Sequence, residues 1–467
     1  MSESTHIEPF EIESPVKTDN TINIAGEETN DNIIFQEDSS ENKNNKTNKG
    51  GSDSELTCIL NIIVSTIGAG SYSLPYVMYQ GGIIVSLLLL IFVSLASYYS
   101  LDLLRSFVVD TKFFSFALMT ETILGPKWLK TYAFCSFTLY TAIEVGYLRS
   151  IYIYTKGMIN FKSHFAIFFY FVISAIIEII VCINGTKIAN LRYLSIIIIS
   201  CFSLMIVSLI IVSVAANIFG KVKEKKFTID NLFFPRIDPP TSLNKMFNMS
   251  LYIMIYNFCY SYHGKFPTIL GNLKGVTQST TKRVHFISFT CVFLAYFLIT
   301  IFGYILTDDV PNELFQDNDD LFQGIWATLR NPFRFILIFF LLFLLPIRFI
   351  VLRDNYITLI GKKKMTPKKE NIIIIIFTII CNILGFGVTK FEEGLKELQI
   401  KNMLQAFGGM FGVIISFCLP VVNYVSINGK RKLKAIIGYV ILGLFVWIGI
   451  FSTGHSFYYI FSGKQKE

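Results

Sequence analysis

Charged residues are scarce in this chain of 467 residues, where they make up 16% of the total. Soluble domains carry about 25%, so the composition argues against an ordinary soluble protein. The five histidines and eight cysteines lack the CxxC or HxxxH spacing that holds a metal. All eight cysteines fall in apolar stretches, away from loops in which an oxidising compartment would pair them. The sequence predicts no metal site, no cofactor and no disulfide framework.

The features of an enzyme are missing as well. There is no His-Asp pair for acid/base work and no nucleophile beside a base, so a membrane enzyme is disfavoured. No basic segment followed by an apolar core opens the chain, and we expect no cleavable signal peptide. We also expect no nucleic-acid partner.

Hydrophobic residues, by contrast, make up 52% of the chain. Eleven apolar stretches are each about 20 residues or longer, the length that an α-helix needs to cross a bilayer. They lie at approximately 56–80, 82–106, 128–155, 164–184, 190–218, 246–270, 284–306, 332–353, 371–389, 402–427 and 434–461. The pattern predicts an all-α polytopic membrane protein with a transmembrane domain at 56–461 and a short C-terminal tail at 462–467.

Residues 1–55 have a different composition. They hold thirteen acidic residues and four lysines among many Asn, Ser and Thr, which is typical of a disordered segment. Such a tail either regulates or sorts the protein or is a solvated extension without a specific role. The basic loop GKKKMTPKK and the acidic loop DDVPNELFQDNDD favour a cytosolic N-terminus by the positive-inside rule.

Two of the apolar stretches are interrupted by helix-breaking residues. The first contains Gly68, Gly70 and Pro75, and the sixth contains His263 and Pro267. A helix breaks in a membrane only where the freed backbone faces protein or water. Matching breaks in two halves of a chain point to the binding site of a transporter. A glycine kink used for helix packing is the alternative.

A broken helix presents two half-helix ends inside the membrane. Free carbonyls at the end of the first half suit an ammonium group or cation, and free amides at the start of the second half suit a carboxylate. A zwitterionic amino acid matches both. We expect Ser73 to cap the outgoing half-helix and Pro75 to lie in its first turn.

Ionisable groups inside apolar stretches are functional candidates. His263 would contact substrate, line the path or take up a proton, or else it is tied to a backbone carbonyl that holds the bend. Glu144 is either a proton-coupling carboxylate or the partner of a basic residue on a neighbouring span. We expect Glu178 to be structural, Lys265 to extend toward the cytosolic surface, and Arg348 to anchor at the interface.

Short motifs along the chain resemble the amino acid/auxin permease (AAAP) family. Asn61, Gly68 and Gly70 resemble the family's N-x(6)-G-x-G pattern. YSYHGKFPTILGNLK resembles its sixth-span motif through His263 and Pro267. LLPIR and FGGMFGVIISFCLPVVNY resemble its eighth- and tenth-span motifs.

The resemblance implies a LeuT-type fold, with five spans, an inverted repeat of five and one more. It implies an amino acid substrate held at mid-membrane between spans 1, 6, 3 and 8. Carried over by position, the substrate-binding candidates are Gly68, Ala69, Gly70, Ser71, Tyr147, Cys259, Tyr260, Ser261 and His263. The protein would be a multi-pass carrier of the plasma membrane or of a vacuolar or lysosomal membrane.

Two departures from the family pattern concern the coupling ion. Val64 and Phe339 stand where sodium-coupled relatives have an Asn and a hydroxyl, and neither ligates a hard cation. We therefore expect proton coupling, with His263 and Glu144 as candidates, or uncoupled transport. Sodium coupling through backbone carbonyls and an amino acid sensor that uses the same pocket are the alternatives.

Overall fold

The structure is a computed structural model. It describes residues 51–158, 164–185, 188–218, 242–306, 325–361, 366–394, 408–429 and 433–462. All of these belong to the compact unit Thr47–Glu467. The predicted tail lies outside the described residues as far as residue 50, and so does the C-terminal tail from residue 463.

The described chain is helical apart from one isolated bridge between extended residues. In chain order the helices are α1 Glu55–Thr66, α2 Leu74–Gly81, α3 Ile83–Thr111, α4 Phe116–Leu124, α5 Pro126–Met158, α6 His164–Gly185, α7 Ile188–Ile218, α8 Ser242–Cys259, α9 Phe266–Gly271, α10 Gln278–Leu306, α11 Ile325–Leu359, α12 Pro367–Gly394, α13 Gly408–Asn428 and α14 Leu433–Ser462. A short 3₁₀ helix, Ala69–Ser73, lies between α1 and α2. Helix α13 contains a π-helical turn at Ile414–Cys418.

A helix or a pair of helices lies at each of the eleven predicted stretches. Within the described residues, seven helices are long and apolar enough to cross a membrane, and the bent pair α1 and α2 makes eight. The number eleven remains a prediction. Large apolar side chains such as Leu95, Ile211 and Ile450 are exposed, as expected where a helix faces lipid tails.

Two apolar clusters form the interior. The α5/α11 core includes Leu139 and Tyr147 of α5 and Leu341 and Leu345 of α11. The α3/α8 core includes side chains of α3, α8, α9 and α10, with Tyr256 among them. Helix α11 packs along α5 more extensively than any other pair of described helices.

The first broken segment belongs to both clusters. Cys58 and Ile62 of α1 pack in the α3/α8 core, whereas Val64, Ile67 and Tyr72 around the break pack in the α5/α11 core. The break therefore lies at the boundary between the two halves of the interior.

The residues just before α1 pair with the turn after α9. The Asp53 amide donates to the Asn272 carbonyl at 2.8 Å, and the Lys274 amide donates to the Asp53 carbonyl at 2.9 Å. Glu55 forms an exposed ion pair with Arg283 of α10 at 3.4 Å. Residues 51–55, which the sequence assigns to the disordered tail, thus belong with the helical domain, because their backbone groups pair with residues 272–274.

Candidate functional site

The first broken segment bends by 57° between its two helices. Helix α1 ends at Thr66, and Gly68 has extended backbone angles, φ −160° and ψ −177°. The Ser71 amide and hydroxyl both donate to the Gly68 carbonyl, at 3.1 and 2.8 Å. Pro75 lies in the first turn of α2 as predicted, but Ser73 makes no capping hydrogen bond because its own backbone is already helical.

The second broken segment separates α8 from α9. Helix α8 ends at Cys259, the next residues form tight turns, and α9 begins at Phe266 with Pro267 in its first turn. A proline is tolerated there because the amide that it lacks would have no helical acceptor. Both predicted breaks are therefore present.

The two breaks contact each other and α5. A Cβ placed on Gly70 would lie 3.1 Å from the Cys259 Sγ and 3.1 Å from a ring carbon of Phe258. A Cβ placed on Gly68 would overlap the Tyr147 hydroxyl. The predicted candidates Gly68, Gly70, Tyr147 and Cys259 thus lie together, with Ala69 and Ser71 in the 3₁₀ helix between α1 and α2.

Tyr260 and Ser261 contact other helices. The Tyr260 hydroxyl accepts a hydrogen bond from Ser94 of α3 at 2.8 Å, and its ring stacks on Phe289 of α10. The Ser261 hydroxyl donates to the Asn257 carbonyl at 2.9 Å and lies 3.4 Å from the Ser416 hydroxyl in the π turn of α13. These contacts hold the second break in place without reaching the Gly68–Tyr147 contact.

The two proton-coupling candidates are both buried. His263 contacts the rings of Tyr262 and Phe417, and within the described chain neither of its ring nitrogens has a hydrogen-bond partner. A histidine tied to a backbone carbonyl, the alternative interpretation, is not what the structure has. Both carboxylate oxygens of Glu144 also lack a partner, although Arg348 and Lys265 are close enough to interact with it electrostatically.

Two other polar candidates have structural partners. Glu178 accepts hydrogen bonds from Ser174 at 2.6 Å and from Asn382 at 2.8 Å, as expected for a structural carboxylate. Asn61, part of the family-like first-span pattern, accepts from Ser195 of α7 at 3.1 Å. Both link neighbouring helices.

The positions of two basic residues differ from the prediction. The Lys265 Nζ donates to the Ile347 carbonyl of α11 at 2.6 Å instead of extending to a membrane surface. Arg348 is buried, and its Nη2 donates to the Ser65 carbonyl at 3.0 Å and to the Ile67 carbonyl at 3.5 Å. Arg348 therefore lies well inside α11 and not at its end, beside the carbonyls that the first break frees, and such carbonyls attract a cation.

Sequence reasoning missed Tyr296 of α10 altogether. Its buried hydroxyl lies 3.0 Å from the Thr66 carbonyl and 2.9 Å from the Cys259 carbonyl, so it bridges the ends of α1 and α8. An aromatic residue in an apolar helix carries no sequence signal for such a role. Tyr72 was also missed, and it packs edge-on against Phe340 with ring centres 6.1 Å apart.

No group of three or more potential metal-ligating side chains occurs within the described residues. The site is instead built from unwound backbone, aromatic rings and a few buried charged side chains.

Several solved transporters share this architecture. A point mutant of the manganese transporter of Eremococcus coleocola superimposes with a TM-score of 0.60 at 12% identity, over 90% of this chain and 92% of that chain. MhsT in complex with L-phenylalanine gives 0.54 at 15% identity over 89% and 100%. A Na⁺-coupled sialic acid symporter gives 0.56 at 13% identity over 88% and 89%. The fold is the LeuT type.

The family follows from the sequence comparisons. The model for transmembrane amino acid transporter proteins matches residues 51–460, and the chain belongs to that family. Among curated proteins, the amino acid transporter AVT1J of Arabidopsis thaliana is 24% identical over 199 residues. That alignment covers 41% of this chain and 42% of the relative, so the chain matches under half of that relative's length.

Proposed function

We propose that this protein is a secondary transporter of amino acids that works by alternating access around the site between its two broken segments. The observation that carries the proposal is the meeting of the two breaks, where Gly70 faces Cys259 and Gly68 faces Tyr147. Glycine at these positions lets the Tyr147 hydroxyl and the Cys259 thiol approach the unwound backbone closely, so the first break directly contacts both α5 and the second break.

An amino acid suits the site because both of its charged groups find counterparts. Unwound backbone at Gly68–Gly70 offers amides to a carboxylate, as in other transporters with broken helices. The unpartnered carboxylate of Glu144 and the ring of Tyr72 belong to the same region of the protein, next to α5 and α11. The substrate-binding set is Gly68, Ala69, Gly70, Ser71, Tyr147 and Cys259, with Tyr260, Ser261 and His263 supporting the second break.

Coupling to protons, or no coupling, fits the residues better than coupling to sodium. Val64 and Phe339 supply no oxygen ligand, while Glu144 and His263 are buried titratable groups without hydrogen-bond partners in the described chain. A group that binds and releases a proton during the cycle needs such freedom. Neither residue is held by a hydrogen bond in the described chain, and Arg348 and Lys265 lie close enough to Glu144 to act on its charge.

Alternating access requires one end of the site to be closed while the other is open. With the N-terminus in the cytosol, the pairing of Asp53 with residues 272–274 and the ion pair between Glu55 and Arg283 close the cytosolic end. These contacts are short backbone bonds and one exposed ion pair, which break at modest cost. Their opening would release substrate inward.

Uptake into proteoliposomes tests the proposal. Purified full-length protein should accumulate or exchange at least one radiolabelled amino acid from a panel of acidic, basic, neutral and aromatic substrates. Uptake should be unchanged when choline replaces sodium, and an inward proton gradient should raise it if protons couple. Saturable binding without any uptake or exchange would instead favour the sensor, and several-fold stimulation by sodium would favour sodium coupling.

A further inference from the structure

Three consecutive backbone carbonyls at the end of α1 accept hydrogen bonds from side chains of other helices. Ser65 and Ile67 accept from Arg348 of α11, and Thr66 accepts from Tyr296 of α10. The end of α8 has a similar contact, because the Cys259 carbonyl also accepts from the Tyr296 hydroxyl. The freed carbonyls of both breaks thus have donors supplied by the protein itself.

In transporters with broken helices, unwound carbonyls and half-helix C-terminal ends coordinate the coupling cation. The end of a half-helix carries partial negative charge, which a cation stabilises. Here the group in contact with the end of α1 is already a cation, since a guanidinium stays protonated in proteins. It is buried, lies 5.8 Å from the centre of the Tyr140 ring and also interacts with Tyr147, so α5 holds it in position.

The Tyr296 hydroxyl has a comparable role between the two breaks. One O–H donor lies within 3.0 Å of two carbonyl oxygens from different half-helices, and the three-centre contact offsets their mutual repulsion. A small cation coordinated between α1 and α8 would serve the same purpose. The hydroxyl occupies that place.

We propose that Arg348 and Tyr296 act as built-in replacements for coupling cations, so that they, and not bound sodium, hold the broken helices in their binding geometry. This inference rests on the proposed transport function and deepens it, since it assigns the residues that set ion independence. Arg348 and Tyr296 touch backbone and not substrate in this assignment, and they are positioning residues.

The test uses removal and chemical rescue. Arg348→Ala deletes the guanidinium and leaves the carbonyls of Ser65 and Ile67 free. We expect amino acid exchange in proteoliposomes to fall at least tenfold and to recover several-fold when millimolar guanidinium chloride is added. The melting temperature of the purified variant should rise saturably with guanidinium, and Arg348→Lys should retain more exchange than Arg348→Ala.

Arg353→Ala is the matched control. Arg353 lies on the same helix, but its guanidinium pairs with Asp354 at 2.8 Å and with Glu370 at 3.1 Å, whereas that of Arg348 donates to the carbonyls at the end of α1. Guanidinium should neither stabilise nor activate this variant. Tyr296→Phe, which removes one oxygen atom, should lower exchange several-fold without any response to guanidinium.

Several results would overturn the inference. One is a wild-type protein whose exchange or melting temperature rises saturably with sodium, a measurement that needs no variant. Others are wild-type exchange by Arg348→Ala, or a folded Arg348→Ala protein that responds to guanidinium no more than Arg353→Ala does. If the wild type moves no amino acid at all, the transport proposal fails, while the melting-temperature comparison still decides the role of Arg348.

Discussion

Replacing Gly68 with alanine is the sharpest test of the contact between the first break and α5. The backbone of Gly68 is extended, so alanine adopts it without strain and the effect is purely one of space. The new Cβ would overlap the hydroxyl of Tyr147, which is a buried residue. The Tyr147 side chain must then move, and its hydrogen bond to Arg348 is lost.

The size of the effect follows from these two losses. Overpacking a buried site costs about 1–3 kcal/mol, and a hydrogen bond to a charged group contributes about 1.5–3 kcal/mol. If about 2 kcal/mol of this falls on the transport-competent state, uptake should drop roughly 30-fold. The measurement is initial uptake in proteoliposomes, normalised to the amount of folded protein.

Removing the hydroxyl should relieve most of the overlap. In the double variant Gly68→Ala/Tyr147→Phe, the nearest atom to the new Cβ becomes the ring carbon Cζ at 3.4 Å, an ordinary contact. Its uptake should match that of Tyr147→Phe alone, which loses only the hydrogen bond. Gly387→Ala in α12, where a Cβ meets nothing within 4 Å, is the control and should transport normally. Normal uptake by Gly68→Ala, or a double variant no better than the single one, would refute the reasoning.

Three further predictions concern the rest of the site and the topology. Gly70→Val should abolish uptake by a protein that still purifies as a single species, because its methyl groups would collide with Cys259; wild-type uptake would remove this break from the binding site. In intact cells, a cysteine introduced at position 317 should be labelled, and one introduced at position 45 should be protected. The reverse labelling pattern would invert the proposed topology. If Glu144 carries the proton, Glu144→Gln should lose the response of uptake to a proton gradient and keep exchange, and His263→Gln should do so if His263 carries it. An unchanged response in both variants would contradict the proton-symport proposal.

The helices and both breaks were predictable because their signals are local. Apolar length fixes a spanning helix, and glycine with a following proline in such a stretch marks an interruption whatever surrounds it. The link between Gly70 and Cys259 was predictable only through the family resemblance, since it joins segments about 190 residues apart in the sequence.

The side chains that donate hydrogen bonds to the carbonyls at the two breaks were not predictable, because their roles depend on which helices pack together. Arg348 stands in the apolar run FFLLFLLPIRFIVL and was expected near a membrane interface. Only the packing of α11 against the end of α1 shows that it lies beside free carbonyls. Lys265 was misplaced for the same reason, and Tyr296 is one of 23 tyrosines with nothing in its neighbours to distinguish it.

Arg348 and Tyr296 differ in which parts of the protein they join. Tyr296 belongs to the α3/α8 core and ties α8 of that core to the end of α1, whose first half packs in the same core. Arg348 extends from α11, in the α5/α11 core, to the end of α1 at the boundary between the two cores. If one core rocks against the other during transport, the Tyr296 contact persists through the cycle while the Arg348 contact must change. A buried acceptor that loses its partner costs about 1–3 kcal/mol, comparable to the few kcal/mol that separate two conformations of a protein. Tyr296→Phe should therefore lower both stability and exchange without shifting the balance between the two open states, whereas changes at Arg348 should shift that balance.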